Sequence, residues 1–179
     1  MLTLLYGTSC IGKTTLIRHL RDNYQWTPIP CYLTRSLRES DICRVSITHE
    51  IFNKRDKEGY FFCTNHQFGT YYGTPKQEIV TAINDLSNNY VLDFMIKNHQ
   101  QFECFNHRKI LILPETEELL KSRIISASRH EREYESITDF RQNYNSAKVS
   151  FYINKGFEIF TVRDTCIEKN LQEFLRFLN

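Results

Sequence analysis

Apolar residues along this chain gather into short runs rich in β-branched and aromatic side chains: Leu2–Tyr6, Ile29–Leu33, Tyr90–Phe94, Lys109–Leu113 and Phe157–Val162. Runs without polar alternation belong to strands covered on both faces. The longer helical stretches between them predict a parallel sheet flanked by helices. Lys13 to Asp22 places Leu16, Ile17 and Leu20 on one helical face, and Lys76 to Leu86 does the same with Ile79, Val80 and Ile83 behind Pro75. Thr116 opens Thr-Glu-Glu-Leu-Leu, whose early carboxylates suit the positive end of a helix, and Glu168 to Leu178 aligns Leu171, Phe174, Leu175 and Leu178. The stretch from Thr34 to Thr74 breaks this rhythm. Its short alternating runs, Arg44-Val45-Ser46-Ile47 and Tyr60-Phe61-Phe62, predict a small, partly antiparallel insertion in an α/β core.

The first of these junctions carries chemistry. Gly7-Thr8-Ser9-Cys10-Ile11-Gly12-Lys13-Thr14 matches G-x-x-x-x-G-K-[ST], preceded by a strand and opening a helix, as the phosphate-binding P-loop requires. Two glycines let successive backbone N–H groups face a concave anion site, and the following helix adds its N-terminal dipole. Lys13 is the expected cation for the β- and γ-phosphates of a nucleotide such as ATP. The Thr14 hydroxyl is the expected Mg²⁺ ligand, and Thr15 completes the loop. A second oxygen ligand for Mg²⁺ belongs at the end of a neighbouring strand. Asp93, which closes Tyr90-Val91-Leu92, is the candidate, although an Asp there also serves as a cap.

Composition narrows the setting. Lys+Arg (23) nearly balance Asp+Glu (21) for a net charge of +2, which gives no electrostatic reason to expect nucleic acid as a partner. No apolar run approaches the roughly 20 residues of a membrane helix. The six cysteines form no Cys-x-x-Cys pair, and the start of the chain lacks a charged leader, so reduced thiols, a cytoplasmic location and no membrane partner are expected.

Beyond the P-loop, Thr34-Arg35-Ser36-Leu37-Arg38 follows a strand, Gly69-Thr70-Tyr71-Tyr72-Gly73-Thr74-Pro75 comes later, and Arg123, Arg129, Arg132 and Arg141 mark a polar stretch near the C-terminal third. This order resembles the guanylate kinases and the related ribose 1,5-bisphosphate phosphokinases over nearly the whole chain. The resemblance implies one P-loop domain over residues 1–179, with a core of 1–33 and 87–179, an acceptor-binding insertion of about 34–86 and a helical lid of about 122–141. It implies an ATP- and Mg²⁺-dependent kinase, monomeric or homodimeric, whose partner is a small phosphorylated acceptor. Arg35 and Arg38 match the family's acceptor-phosphate clamp, Tyr72 its tyrosine donor and Thr74 the residue after the Y-G pair. Arg44 stands where the family has another tyrosine, as a third cation or a solvated side chain. Arg123 and Arg129 match the lid arginines that close over the transferring phosphate, Arg141 matches more weakly, and Arg132 stands either with the lid or on a charged, solvated helix face.

The base-reading end departs from that pattern. Cys31 stands where the family has a serine, Cys63 where it has a glutamate, and Met95 where it has a second aspartate. A thiol cannot replace a carboxylate as the double acceptor for guanine N1–H and N2–H₂. The phosphate half of an acceptor site is therefore expected intact and the guanine half altered. Two alternatives follow: a different acceptor, such as ribose 1,5-bisphosphate, or a catalytically silent binding module. The intact Gly12-Lys13-Thr14 speaks against the silent module.

Overall fold

The structure, a computed structural model, describes residues 1–67, 69–128, 130 and 133–178. Its elements run β1 (Leu2–Tyr6), α1 (Lys13–Tyr24), β2 (Thr27–Pro28), β3 (Cys31–Leu33), β4 (Arg44–Ser46), α2 (His49–Lys57), β5 (Phe61–Gln67), β6 (Thr70–Pro75), α3 (Lys76–Asn84) and β7 (Tyr90–Asp93). A 3-10 helix (Ile96–Phe102) follows, then β8 (Arg108–Pro114), α4 (Glu117–Ser126), α5 (Glu133–Asn143), α6 (Ser146–Asn154), β9 (Glu158–Val162) and α7 (Ile167–Leu178). No helix among the described residues is long and apolar enough to cross a membrane.

The chain gathers into two compact units. One holds Met1–Thr3, Ile17–Leu92 and Lys97–His107; the other holds Leu4–Leu16, Asp93–Ile96 and the chain from Arg108 onward. Five strands form one sheet in the order β2-β7-β1-β8-β9. Thr27 pairs parallel with Tyr90, and Ile110 through Pro114 pair parallel with Glu158 through Val162. Every residue of β1 is buried, which is why its pattern is mostly apolar, with Thr3 the one polar side chain, instead of alternating.

Within the first unit lies a second, four-stranded sheet in the order β4-β3-β6-β5. β3 pairs parallel with β4, while β6 pairs antiparallel with both β3 and β5, so the insertion is partly antiparallel as its pattern predicts. Its core is aromatic: Phe52 of α2 stacks on Phe61 with ring centroids 4.7 Å apart. In the second unit, Phe160 meets Phe174 edge-on at 4.9 Å, and Tyr6 packs on Phe157 at 5.0 Å. Buried aromatic pairs of this geometry add to the area they hide.

One predicted strand is corrected. Ile29–Leu33 is not a single strand of the main sheet: Thr27–Pro28 pairs with β7, whereas Cys31–Leu33 joins the small sheet. Pro30 sits at the crossover, where it has no N–H to donate to a ladder. Ile29 N still donates to the Val91 carbonyl, and the next paired amide, Cys31 N, donates to Cys43 instead.

Thr116 is the N-cap of α4, its hydroxyl accepting from Leu119 N at 3.1 Å. The same helix carries Arg123, so the cap sets where that side chain begins. Thr116→Ala is expected to lower stability by about 1 kcal/mol. Urea unfolding should show this as a lower midpoint at an unchanged slope; an unchanged midpoint would mean the cap contributes nothing.

Candidate active site

The P-loop leaves β1 through backbone that only glycine accepts comfortably. Gly7 has φ +145°, and a Cβ there would lie 2.5 Å from the Ile112 carbonyl oxygen on β8. Gly12 has φ +109°, and its α-carbon faces the Arg123 guanidinium, 3.4 Å from where a Cβ would be. Cys10 at the loop tip also has a positive φ, +65°. Leu16 N closes the first turn of α1 onto the Gly12 carbonyl at 3.0 Å. The Thr8 hydroxyl donates to the Ser136 carbonyl of α5 at 3.3 Å, and Cys10 packs against the buried cluster of Leu120, Ile124 and Ile137.

The charged groups converge on this loop. The Lys13 ammonium donates to the Gly7 carbonyl (2.6 Å) and the Thr8 carbonyl (2.9 Å), and lies 3.7 Å from an Asp93 carboxylate oxygen. Arg123 Nη2 donates to the Asp164 carbonyl at 2.6 Å, and Nη1 to the Ile11 carbonyl of the loop at 3.4 Å. Its Nε is buried with no partner among the described residues. Burial lowers the Arg123 proton affinity and Asp164 partly restores it; a guanidinium stays charged regardless. Structure thus brings Lys13, Asp93 and Arg123 together with Ser9, Thr14 and Thr15 on the loop and first turn. Arg129 and Arg132 lie outside the described residues. Arg141 is drawn elsewhere, pairing bidentately with Glu117 through two 2.7 Å bonds.

The proposed acceptor residues lie in the first unit. Arg35 forms a fork on Asp41, with Nη1–Oδ2 at 2.6 Å and Nη2–Oδ1 at 3.0 Å, and its Nε is buried without a partner among the described residues. The Asp41 carboxylate raises the Arg35 pKa most strongly, burial opposes it, and Tyr72 adds a smaller hydrogen-bonded contribution. Arg38 N donates to the same carboxylate at 2.9 Å, and Arg44 also faces it electrostatically. Arg35, Arg38, Arg44 and Tyr72 are therefore gathered around Asp41, a residue that sequence reasoning missed. An Asp three positions after Arg38 was the available signal.

Cys31 and Cys63 are both buried. Cys63 pairs with Thr74 across β5 and β6. Burial pushes its thiol up to about 11, the Thr74 hydrogen bond pulls the other way, and neighbouring Cys31 adds to the rise. It is neutral at physiological pH. Glu58, the nearest upstream carboxylate, is the exposed C-cap of α2 and precedes β5.

The close approach at Gly7 yields a direct test. Gly7→Ala must displace either the loop or β8, since 2.5 Å to a backbone oxygen leaves no room for carbon. Loss of ATP-induced thermal stabilisation, with a lower melting temperature in the free protein, is the expected outcome. Retention of both would mean the loop tolerates a side chain there.

No protein-family model matches the chain. It is 31% identical over 162 residues to a guanylate kinase of Clostridium tetani, the match covering 87% of this chain and 74% of that protein. It is 29% identical over 161 residues to a guanylate kinase of Clostridium acetobutylicum, with coverage of 87% and 74%. The crystal structure of guanylate kinase from Anaplasma phagocytophilum matches it with a TM-score of 0.65 over 99% of this chain and 84% of that one, a likeness of fold at 16% identity. Taken with a P-loop that holds its lysine and an arginine in place, these likenesses assign the chain to the guanylate kinase family, as a nucleotide kinase and hence a phosphotransferase.

Proposed function

We propose that this protein transfers the γ-phosphate of ATP, bound with Mg²⁺, to the phosphate of a small acceptor, nominally GMP or dGMP, at a site whose base-reading end is altered. The observation that carries this reading is the Lys13 ammonium, held on the Gly7 and Thr8 carbonyls beside Asp93. Its partners there are mostly neutral, so a phosphate oxygen can replace a carbonyl at little electrostatic cost. Arg123 supports the same reading as a second cation against the loop. Within the acceptor insertion, the Arg35 guanidinium and the nearby Tyr72 are the donors for a monophosphate, with Arg38 and Arg44 alongside. An acceptor phosphate is already anionic at neutral pH. The protein's task is thus positioning and charge neutralisation, with no covalent intermediate.

The donor set suits Mg²⁺. Thr14 offers a hydroxyl and Asp93 a carboxylate, both hard oxygen ligands. Among the described residues no group of three His, Cys, Asp or Glu could cage a metal, which fits an ion held mainly by nucleotide phosphates. When bound, it would neutralise charge on the β- and γ-phosphate oxygens.

Buried Cys31 and the neutral Cys63 thiol favour a second reading in which the best acceptor is not a guanine nucleotide, with ribose 1,5-bisphosphate one candidate. A coupled ADP-release assay across GMP, dGMP, AMP, UMP, CMP, dTMP and ribose 1,5-bisphosphate separates the two. Lys13→Ala should lower kcat with the best acceptor by about a thousandfold. Turnover near that of the unmodified protein would sink the P-loop mechanism.

GMP is expected to be a poor acceptor relative to the best of that panel. Cys63→Glu should raise kcat/KM for GMP by about tenfold, the worth of one charge-assisted hydrogen bond, without moving the ATP KM. Efficient GMP turnover by the unmodified protein that Glu58→Gln abolishes would transfer the base-reading role to Glu58 instead.

A further inference from the structure

Arg123 owes its place beside the loop to a residue far along the chain. All the groups concerned lie in the second unit. The Asp164 carbonyl, in the turn between β9 and α7, accepts from Arg123 Nη2 at 2.6 Å and from Asn170 Nδ2 at 2.8 Å. Asn170 Nδ2 also donates to the Cys166 carbonyl at 2.5 Å, and the side chain is only 6% exposed. One buried amide therefore ties both ends of the 164–166 turn to the first turns of α7.

The same turn is held a second way. The Asp164 carboxylate accepts from Cys166 N (2.9 Å) and from Lys169 Nζ (2.9 Å). Those bonds orient the side chain of Asp164, whereas Asn170 is the group that holds its carbonyl. A guanidinium bonded to a carbonyl is only as well placed as that carbonyl. An arginine meant to meet a phosphate also gains from losing its rotamer freedom beforehand. With one Nη on Asp164 and the other on Ile11, Arg123 keeps Nε as a buried donor without a partner among the described residues. An unmet buried donor is costly, so the guanidinium keeps this place only while its two Nη contacts hold it.

We propose that Asn170 is a positioning residue for phosphoryl transfer: its buried amide fixes the Asp164 carbonyl, which in turn holds the Arg123 guanidinium against the P-loop. The proposal rests on the reading of Arg123 as a cation for the transferring phosphate. Asn170 itself need touch neither substrate.

Two measurements test it. The first needs no turnover: in protein labelled with [¹⁵N]arginine, Arg123 should give one exchange-protected Nε–H resonance, assigned by its loss in Arg123→Lys. Asn170→Ala should broaden that resonance or move it to the position of a solvated arginine, while the fold, followed by melting, persists. Asn170→Asp keeps the shape of the side chain but removes the donor, and should act in the same way if the alanine variant folds poorly. The second is a double-variant cycle with ATP, Mg²⁺ and GMP, or the acceptor of the panel above that turns over fastest. Asn170→Ala should lower kcat about tenfold with the acceptor KM within twofold, and should change kcat less than twofold when added to Arg123→Ala. A protected Nε–H that survives both Asn170 variants, or losses that multiply in the double variant, would overturn the proposal. If Arg123→Ala alone leaves kcat unchanged, the role assigned to Arg123 fails instead; the Nε–H measurement still reports whether Asn170 holds it.

Discussion

The site depends on one close approach: the turn at Gly7, which passes so near the Ile112 carbonyl of β8 that a Cβ would stand 2.5 Å from it. Because the backbone can lie that close, the loop folds back over the end of β1, and Lys13, six residues on, reaches the Gly7 carbonyl with its ammonium. Gly12 performs the matching service at the far end, where the bare α-carbon leaves space for the Arg123 guanidinium. Remove either glycine and the lysine, the first turn of α1 and the arginine lose their common reference. The buried uniformity of β1 supplies the rigidity that makes such a tolerance possible.

The cations rest in different electrostatic states, and the difference has a function. Lys13 and Arg123 donate to backbone carbonyls, which are dipoles, and the Asp93 carboxylate offsets the Lys13 charge only from 3.7 Å. Arg35 is forked onto Asp41, whose charge cancels its own. An arginine in a bidentate pair whose Nε is buried has few donors left, so an incoming phosphate must compete with Asp41. The loop that would face the polyanionic nucleotide keeps its charge. The insertion that would face a single phosphate has part of its charge already spent.

Much of this was legible in the pattern of residues, and the exceptions have causes. The strands β1 and β8 announce themselves because long stretches of them are buried and no polar alternation interrupts those stretches. The P-loop is legible because its chemistry needs particular residues at fixed spacing. Helix α2 is not, since Phe52 is its only buried side chain and a single apolar residue sets no period. Helix α5 hides for the same reason, burying only Ser136 and Ile137. Ile29–Leu33 misleads because an apolar run does not say which sheet it joins; the missing N–H of Pro30 does, once the neighbouring strands are known. Asp41 and Asn170 act through side-chain geometry across turns, and single polar residues in turns carry no sequence period at all.

Specificity in such a site divides between two ends with different physics. Phosphate contacts are shared by every monophosphate, so in the proposed clamp the arginines and Tyr72 would contribute affinity without choosing among bases. Choice belongs to the other end, where polar groups left unpaired by the wrong ligand impose the cost. A carboxylate there makes that cost large; a buried thiol that stays protonated makes it small. Charge-assisted hydrogen bonds of about 1.5–3 kcal/mol correspond to roughly ten- to a hundredfold in discrimination. Cys31 and Cys63 are buried in β3 and β5, on either side of β6, and the Cys63 thiol is pushed up to about 11; on the proposed reading a base end built on them would select by shape and contact rather than by charge. On the proposed reading, the phosphate chemistry would stay in place while the preferred acceptor changed, because the residues proposed for each are separate.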